Sequence, residues 1–62
     1  MCESNAYLVK DGKEELVMES VGLVKIEGGT VLLRSIFGDE AAIHAELREL
    51  NLTGHRIVLE SL

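Results

Sequence analysis

Cys2 has the most distinctive chemistry in this sequence, because it lies at the extreme N-terminus. Initiator methionine is generally removed before a small residue, and cysteine qualifies. The chain would then begin with an α-amine and a thiol on one residue, which together close a five-membered ring around a metal ion. Their ordinary pKa values, about 8 and about 8.5, let a metal displace both protons near neutral pH. If Met1 is retained, its terminal amine, the Cys2 amide nitrogen and the Cys2 thiolate form a tridentate chelate instead.

Either form of this terminus offers mixed nitrogen and sulfur ligation. A d⁸ Ni(II) ion accepts such a donor set in a square plane, and copper competes by the Irving–Williams order. One amine and one thiolate fill only two of four positions. A two-fold homodimer with its N-termini near the symmetry axis would supply two of each to one ion.

Two histidines are the other candidate ligands. His55 falls in a predicted turn, where histidine is more often simply solvated, and His44 lies in a stretch of ambiguous structure. No C-x-x-C or H-E-x-x-H spacing accompanies them. Judged by residue types alone, a cysteine at position two most often has no special function. That interpretation stays open beside the metal hypothesis.

Length and charge narrow the function classes. The chain has 62 residues, so we expect one domain spanning 1–62, whose small core would benefit from dimerisation. The net charge is −5 and the six Lys and Arg residues are scattered, which disfavours binding to nucleic acid or to an anionic membrane. The single cysteine favours a reducing cytoplasm, and neither a signal peptide nor a membrane-spanning run is evident.

Catalytic patterns are equally scarce. Gly28-Gly29 lacks the surroundings of a phosphate-binding loop, and Ser4, Ser20 and Ser35 lack a nucleophile-elbow context. A chain this short also leaves little room for a substrate pocket of ordinary size. We therefore expect no enzymatic activity.

The elements that must position the terminus are short apolar runs separated by glycines. Asp11-Gly12 predicts a two-residue hairpin, and Gly28-Gly29 predicts a second turn. In the run after that turn, Val31, Leu33 and Phe37 are predicted to share one face. The predicted strands are the runs 6–10, 14–19, 23–27, 30–37 and 56–60.

The stretch from Asp39 to Leu50 is compatible with two structures. Its alanines and glutamates favour a helix capped by Asp39. A hairpin that pairs residues 47–52 with 56–59 through the Thr53-Gly54-His55 turn explains more of the sequence, so we predict strand, including 39–46. The result is an all-β fold, a small SH3-like barrel of five to six short antiparallel strands.

The order of these segments resembles the CooT family of small nickel-binding proteins. The resemblance rests on Met1-Cys2, the Asp11-Gly12 hairpin, Glu27-Gly28-Gly29, the run Arg34-Ser35-Ile36-Phe37-Gly38-Asp39-Glu40 and the closing hairpin, and it covers the whole chain. It implies an SH3-like β-barrel, a homodimer, and nickel bound at Cys2 for delivery to a client metalloenzyme such as carbon monoxide dehydrogenase.

A second class of function remains open. Similar sequences carry the label of predicted RNA-binding proteins, and a small barrel can serve as an interaction module for RNA or a protein. Such a module would use an exposed patch around Tyr7 or Phe37 and would not depend on Cys2. The acidic charge and the presence of only two aromatic residues argue against single-stranded RNA.

Overall fold

Asp11-Gly12 and Gly28-Gly29 each reverse the chain between neighbouring strands, as the sequence predicts. In the computed structural model, which describes residues 4–62, these four residues have φ angles of 53°, 77°, 53° and 82°. Positive φ at both central positions is the geometry of a two-residue type I′ turn, whose twist matches that of the paired strands. Glycine adopts it without steric cost, and aspartate tolerates it.

The described residues form a closed five-stranded barrel, which confirms the predicted all-β fold. Consecutive strands pair antiparallel, and β1 closes the barrel by pairing parallel to β5. The strands are β1 (Ser4–Lys10), β2 (Lys13–Glu27), β3 (Thr30–Ser35), β4 (Glu40–Asn51) and β5 (Arg56–Ser61). Residues 4–62 contain no helix that is long and apolar enough to cross a membrane.

Strand β2 is one bent strand where the sequence indicates two runs. Ser20 has a φ of 55°, and the pairing register shifts between Val21 and Leu23. The half before the bend pairs with β1, and the half after it pairs with β3. An irregularity of this kind sharpens the local twist and lets one strand turn a barrel corner.

Strand β4 settles the ambiguous stretch, because residues 40–51 are extended and the helical alternative is not adopted. The closing hairpin is confirmed, with Asn51 opposite Arg56 and Leu47 opposite Leu59. Along β4, alternate residues face the core and the solvent. The interior-facing side chains are Ala41, Ile43, Ala45 and Leu47, and the exposed ones between them are Ala42, His44 and Glu46.

The core consists of small and branched side chains from all five strands. Its buried members are Ala6, Val21, Val31, Leu33, Ala45, Ile57 and Leu59. The prediction that Phe37 shares the buried face of Val31 and Leu33 is wrong. Strand β3 ends at Ser35, which takes the third inward position, and Phe37 lies in the turn that follows.

Candidate metal centre

The start of β1 is fixed by backbone contacts on both sides. Ser4 is the Cα partner of Val21 on β2, and Asn5 is the partner of Arg56 on β5. The Asn5 backbone N–H donates to the carbonyl oxygen of His55 at 3.0 Å. The Asn5 side chain accepts a hydrogen bond of 3.3 Å from the backbone N–H of Ser20. The chain therefore enters the barrel between the β2 bend and the β4–β5 turn.

The predicted ligands Met1 and Cys2 lie outside the described residues. Cys2 is three residues before Asn5 in the chain. Three residues span at most about 10 Å of extended chain. The start of β1 is therefore the part of the candidate site that the structure describes.

His55 is presented at that same end. It is exposed and has a φ of 55°, in the left-handed region that is uncommon for non-glycine residues but in which histidine is enriched. Asn51 holds the turn: its side-chain oxygen accepts the Gly54 N–H at 2.8 Å and the Thr53 hydroxyl at 3.0 Å. His55 is the predicted ligand that the structure brings beside the start of β1.

His44 lies at the other end of the barrel. It is exposed on β4, opposite Thr30, and its carbonyl oxygen accepts the N–H of Leu62, which follows β5. Because β5 runs parallel to β1, the end of β5 and the start of β1 are at opposite ends. The fold thus separates the two histidines.

Among residues 4–62, no three His, Cys, Asp or Glu side chains lie close enough together to hold a metal ion. A shallow groove of about 370 Å³ lies elsewhere, on the outer face of β2, β3 and β4. It is lined by Lys25, Glu27, Thr30, Leu32 and Ala42. Neither candidate histidine lines this groove.

The β3–β4 turn is linked to the start of β1 through Ser20. The Ile36 N–H donates to the carbonyl oxygen of Ser20 at 2.9 Å, and Ser20 in turn contacts Asn5. Ser35 is buried, and its hydroxyl oxygen accepts the N–H groups of Phe37 and Asp39, each at 3.1 Å. No structural role for Ser35 was predicted from the sequence. A serine followed by a Gly-Asp turn was the signal for this cap.

Cations near the site are paired with carboxylates. The Arg56 guanidinium, next to His55 in the chain, lies 4.7 Å from the centroid of the Tyr7 ring and forms an ion pair with Glu14. The three other ion pairs of the described residues are Lys25–Glu27, Arg34–Glu40 and Arg48–Glu60. Lys10 and Lys13 face each other across the first hairpin. This arrangement scatters positive charge over the barrel and does not gather it into a stripe.

A family model described as CO dehydrogenase accessory protein CooT matches residues 1–60 of the chain. The chain belongs to the CooT family. The fold agrees with this, since a candidate CooT from Carboxydothermus hydrogenoformans has a crystal structure that matches with a TM-score of 0.89 and 39% identity, covering 98% of each chain. An uncharacterized protein from Methanocaldococcus jannaschii is 33% identical over 60 residues, 97% of this chain and 98% of its own length. CooT proteins are described as accessory proteins of CO dehydrogenase, and the family-model match includes Cys2.

Proposed function

We propose that this protein is a homodimeric nickel carrier that binds Ni(II) through the Cys2 thiolate and the N-terminal amine. The observation that supports this most directly is the anchoring of β1. Hydrogen bonds join Asn5 to both His55 and Ser20, so the strand that follows the proposed ligands begins beside the turn that carries the exposed His55. The accessory role of the family makes a client metalloenzyme in the cytoplasm the natural recipient of the ion.

The donor atoms suit the ion. An amine nitrogen, a thiolate sulfur and an imidazole nitrogen are all ligands that Ni(II) accepts, and none is an oxygen donor of the kind that Mg²⁺ or Ca²⁺ requires. In a two-fold dimer, two amines and two thiolates complete a square plane. His55 is then available as a further ligand from either subunit. Nickel is therefore the cargo of this protein, which binds the ion and passes it to the client metalloenzyme.

Nickel titration of the full chain tests the proposal. Wild-type protein should develop a thiolate-to-metal charge-transfer band that saturates at one ion per dimer. Cys2→Ser should abolish the band, and acetylation of the α-amine should weaken binding. Intact mass under non-denaturing conditions reports whether Met1 is removed, how many subunits assemble and how many ions they bind. A Cys2→Ser variant with wild-type nickel affinity would contradict the assignment.

An RNA-binding module is the competing class of function, and the charge distribution argues against it. Four of the six cationic side chains form ion pairs with carboxylates. Binding to RNA would release counterions and weaken steeply as salt rises, whereas thiolate chelation responds chiefly to pH. Titrating a fluorescent oligoribonucleotide at two salt concentrations separates the two classes.

A further inference from the structure

Phe37 is the most exposed of the large apolar side chains among residues 4–62. It is the only phenylalanine of the chain, and 77% of its surface is open to solvent. A single exposed apolar residue is ordinary in a monomeric protein. Its suitability for contact with another molecule depends on the rigidity of its turn, the neighbouring apolar side chains and the surrounding charges.

The turn that presents Phe37 is held rigidly. Ser35 is only 5% exposed, and its hydroxyl oxygen accepts the N–H groups of Phe37 and Asp39. The Ser35 N–H donates to the Asp39 carbonyl oxygen at 2.8 Å, and the Gly38 N–H donates to the Ser35 carbonyl oxygen at 3.1 Å. With Ile36 bonded to Ser20, five hydrogen bonds fix the turn. A side chain on such a turn loses little freedom when it binds, so more of its burial energy is realised as affinity.

Other exposed apolar side chains lie on or next to the turn that carries Phe37. Ile36, next to Phe37, is 42% exposed and lies against Gly22, where an added Cβ would come within 3.2 Å of the Ile36 Cγ2 atom. The absence of a side chain at Gly22 gives Ile36 this position. Leu23, the next residue of β2, is also 42% exposed. Ile36 and Leu23 thus add exposed apolar surface in the neighbourhood of the turn that carries Phe37.

The charges around this surface select the partner. Asp39 and Glu40 follow the turn, Glu19 precedes the Ser20 that anchors it, and all three are exposed. Arg34 is engaged by Glu40, with 2.8 Å between its Nε and the carboxylate. A second copy docked two-fold on this surface would bring these carboxylates against their own counterparts. A partner with Lys and Arg side chains around an apolar pocket is complementary to it.

We propose that Phe37 is the anchor residue through which the client metalloenzyme docks, inserting into an apolar pocket with a basic rim. This inference rests on the proposed function, because it takes the client to be the recipient of the nickel ion. The Ile36–Ser20 and Ser20–Asn5 hydrogen bonds join the docking turn to the start of β1. A client seated on Phe37 is therefore linked, through Ser20, to the strand that follows the proposed nickel ligands.

The test measures binding of the full chain to immobilised nickel-free CO dehydrogenase. Phe37→Ala should weaken the affinity at least about tenfold, as expected for an aromatic anchor, while Phe37→Tyr keeps the ring and should stay within about twofold. Leu62→Ala is the matched control, since it removes an exposed apolar side chain at the opposite end of the barrel. Asp39→Asn should slow association, and affinity should fall between about 50 and about 300 mM salt.

Three results would overturn the proposal: a Phe37→Ala variant that binds as tightly as wild type, a Phe37→Ala variant that dissociates the homodimer, or wild-type protein that does not bind the enzyme. The second would assign the surface to a second copy of the chain. Nickel titration of the same variants reads the metal site separately. It should be unchanged by Phe37→Ala, so failure of docking and failure of nickel binding are distinguishable.

Discussion

The backbone N–H of Asn5 donates to the carbonyl oxygen of His55, joining the first strand to the turn that precedes the last one. This bond places the backbone of His55 beside the start of β1. The two residues are 50 positions apart in the sequence (55 minus 5), so their proximity could not be inferred from the sequence alone.

Replacing His55 with asparagine should weaken nickel binding roughly tenfold, the lower end of what loss of a supporting group at a metal site costs. Asparagine is chosen because it tolerates the positive φ of this position, so the turn should be kept while the imidazole is lost. Isothermal titration with nickel measures the effect. His44→Asn removes the other histidine, at the far end of the barrel, and should bind nickel like wild type. Equal losses in both variants would exclude a specific role for His55.

Nickel affinity should rise with pH between about 6 and about 8. Protons compete with the metal for the terminal amine and the thiol, whose ordinary pKa values lie near 8 and 8.5. Each proton released on binding makes the apparent association constant rise about tenfold per pH unit below those pKa values, so release of both gives up to about a hundredfold. Titrations at several pH values measure the slope. Cys2→Ser should reduce it, and a pH-independent affinity in wild type would argue against this ligand set.

Ser35→Ala should destabilise the barrel by about 1–3 kcal/mol, because the N–H groups of Phe37 and Asp39 lose their shared acceptor. Denaturant unfolding followed by circular dichroism measures the change. Ser61→Ala is the control. Its hydroxyl makes a long contact of 3.5 Å with the Leu62 carbonyl oxygen, and its loss should cost less than about 0.5 kcal/mol. Equal effects of the two substitutions would show that the Ser35 cap contributes nothing specific.

Gly12→Ala should cost about 1–2 kcal/mol, because an alanine Cβ is unfavourable at a φ of 77°. No atom lies within 4 Å of the added Cβ, so the penalty isolates backbone conformation from packing. Gly12→Asn should retain most of the stability, since asparagine accepts this region. Thermal unfolding of both variants measures the difference, and an alanine variant as stable as wild type would contradict a conformational role for Gly12.

Local chemistry made much of the fold predictable. Asp11-Gly12 and Gly28-Gly29 have few alternatives to a tight turn, and both form one. The strand from Glu40 to Asn51 was harder, because its alanines and glutamates favour a helix locally. Its alternation of interior and exposed residues, visible from Ala41 to Leu47, was the better guide.

The remaining features depend on contacts between distant residues. Ser20 bends β2 at a positive φ that serine rarely adopts, and nothing adjacent in the sequence indicates it. In the sequence, Phe37 continues the apolar alternation of Val31 and Leu33. In the structure the strand ends two residues earlier, at buried Ser35, where the chain turns. The placement of His55 beside Asn5 requires β1 to pair with β5, which a single sequence does not specify.

That parallel pairing, in which Asn5–Val9 lie opposite Arg56–Glu60, also sets an order of events during biosynthesis. A growing polypeptide cannot close the barrel until residue 60 has left the ribosome, and pairings between such distant segments form slowly. Chains that stop before Arg56 should therefore remain protease-sensitive. The start of β1 acquires His55 and β5 as neighbours only when translation of the last strand is finished, so loading of an ion at a site that includes His55 would be a post-translational step.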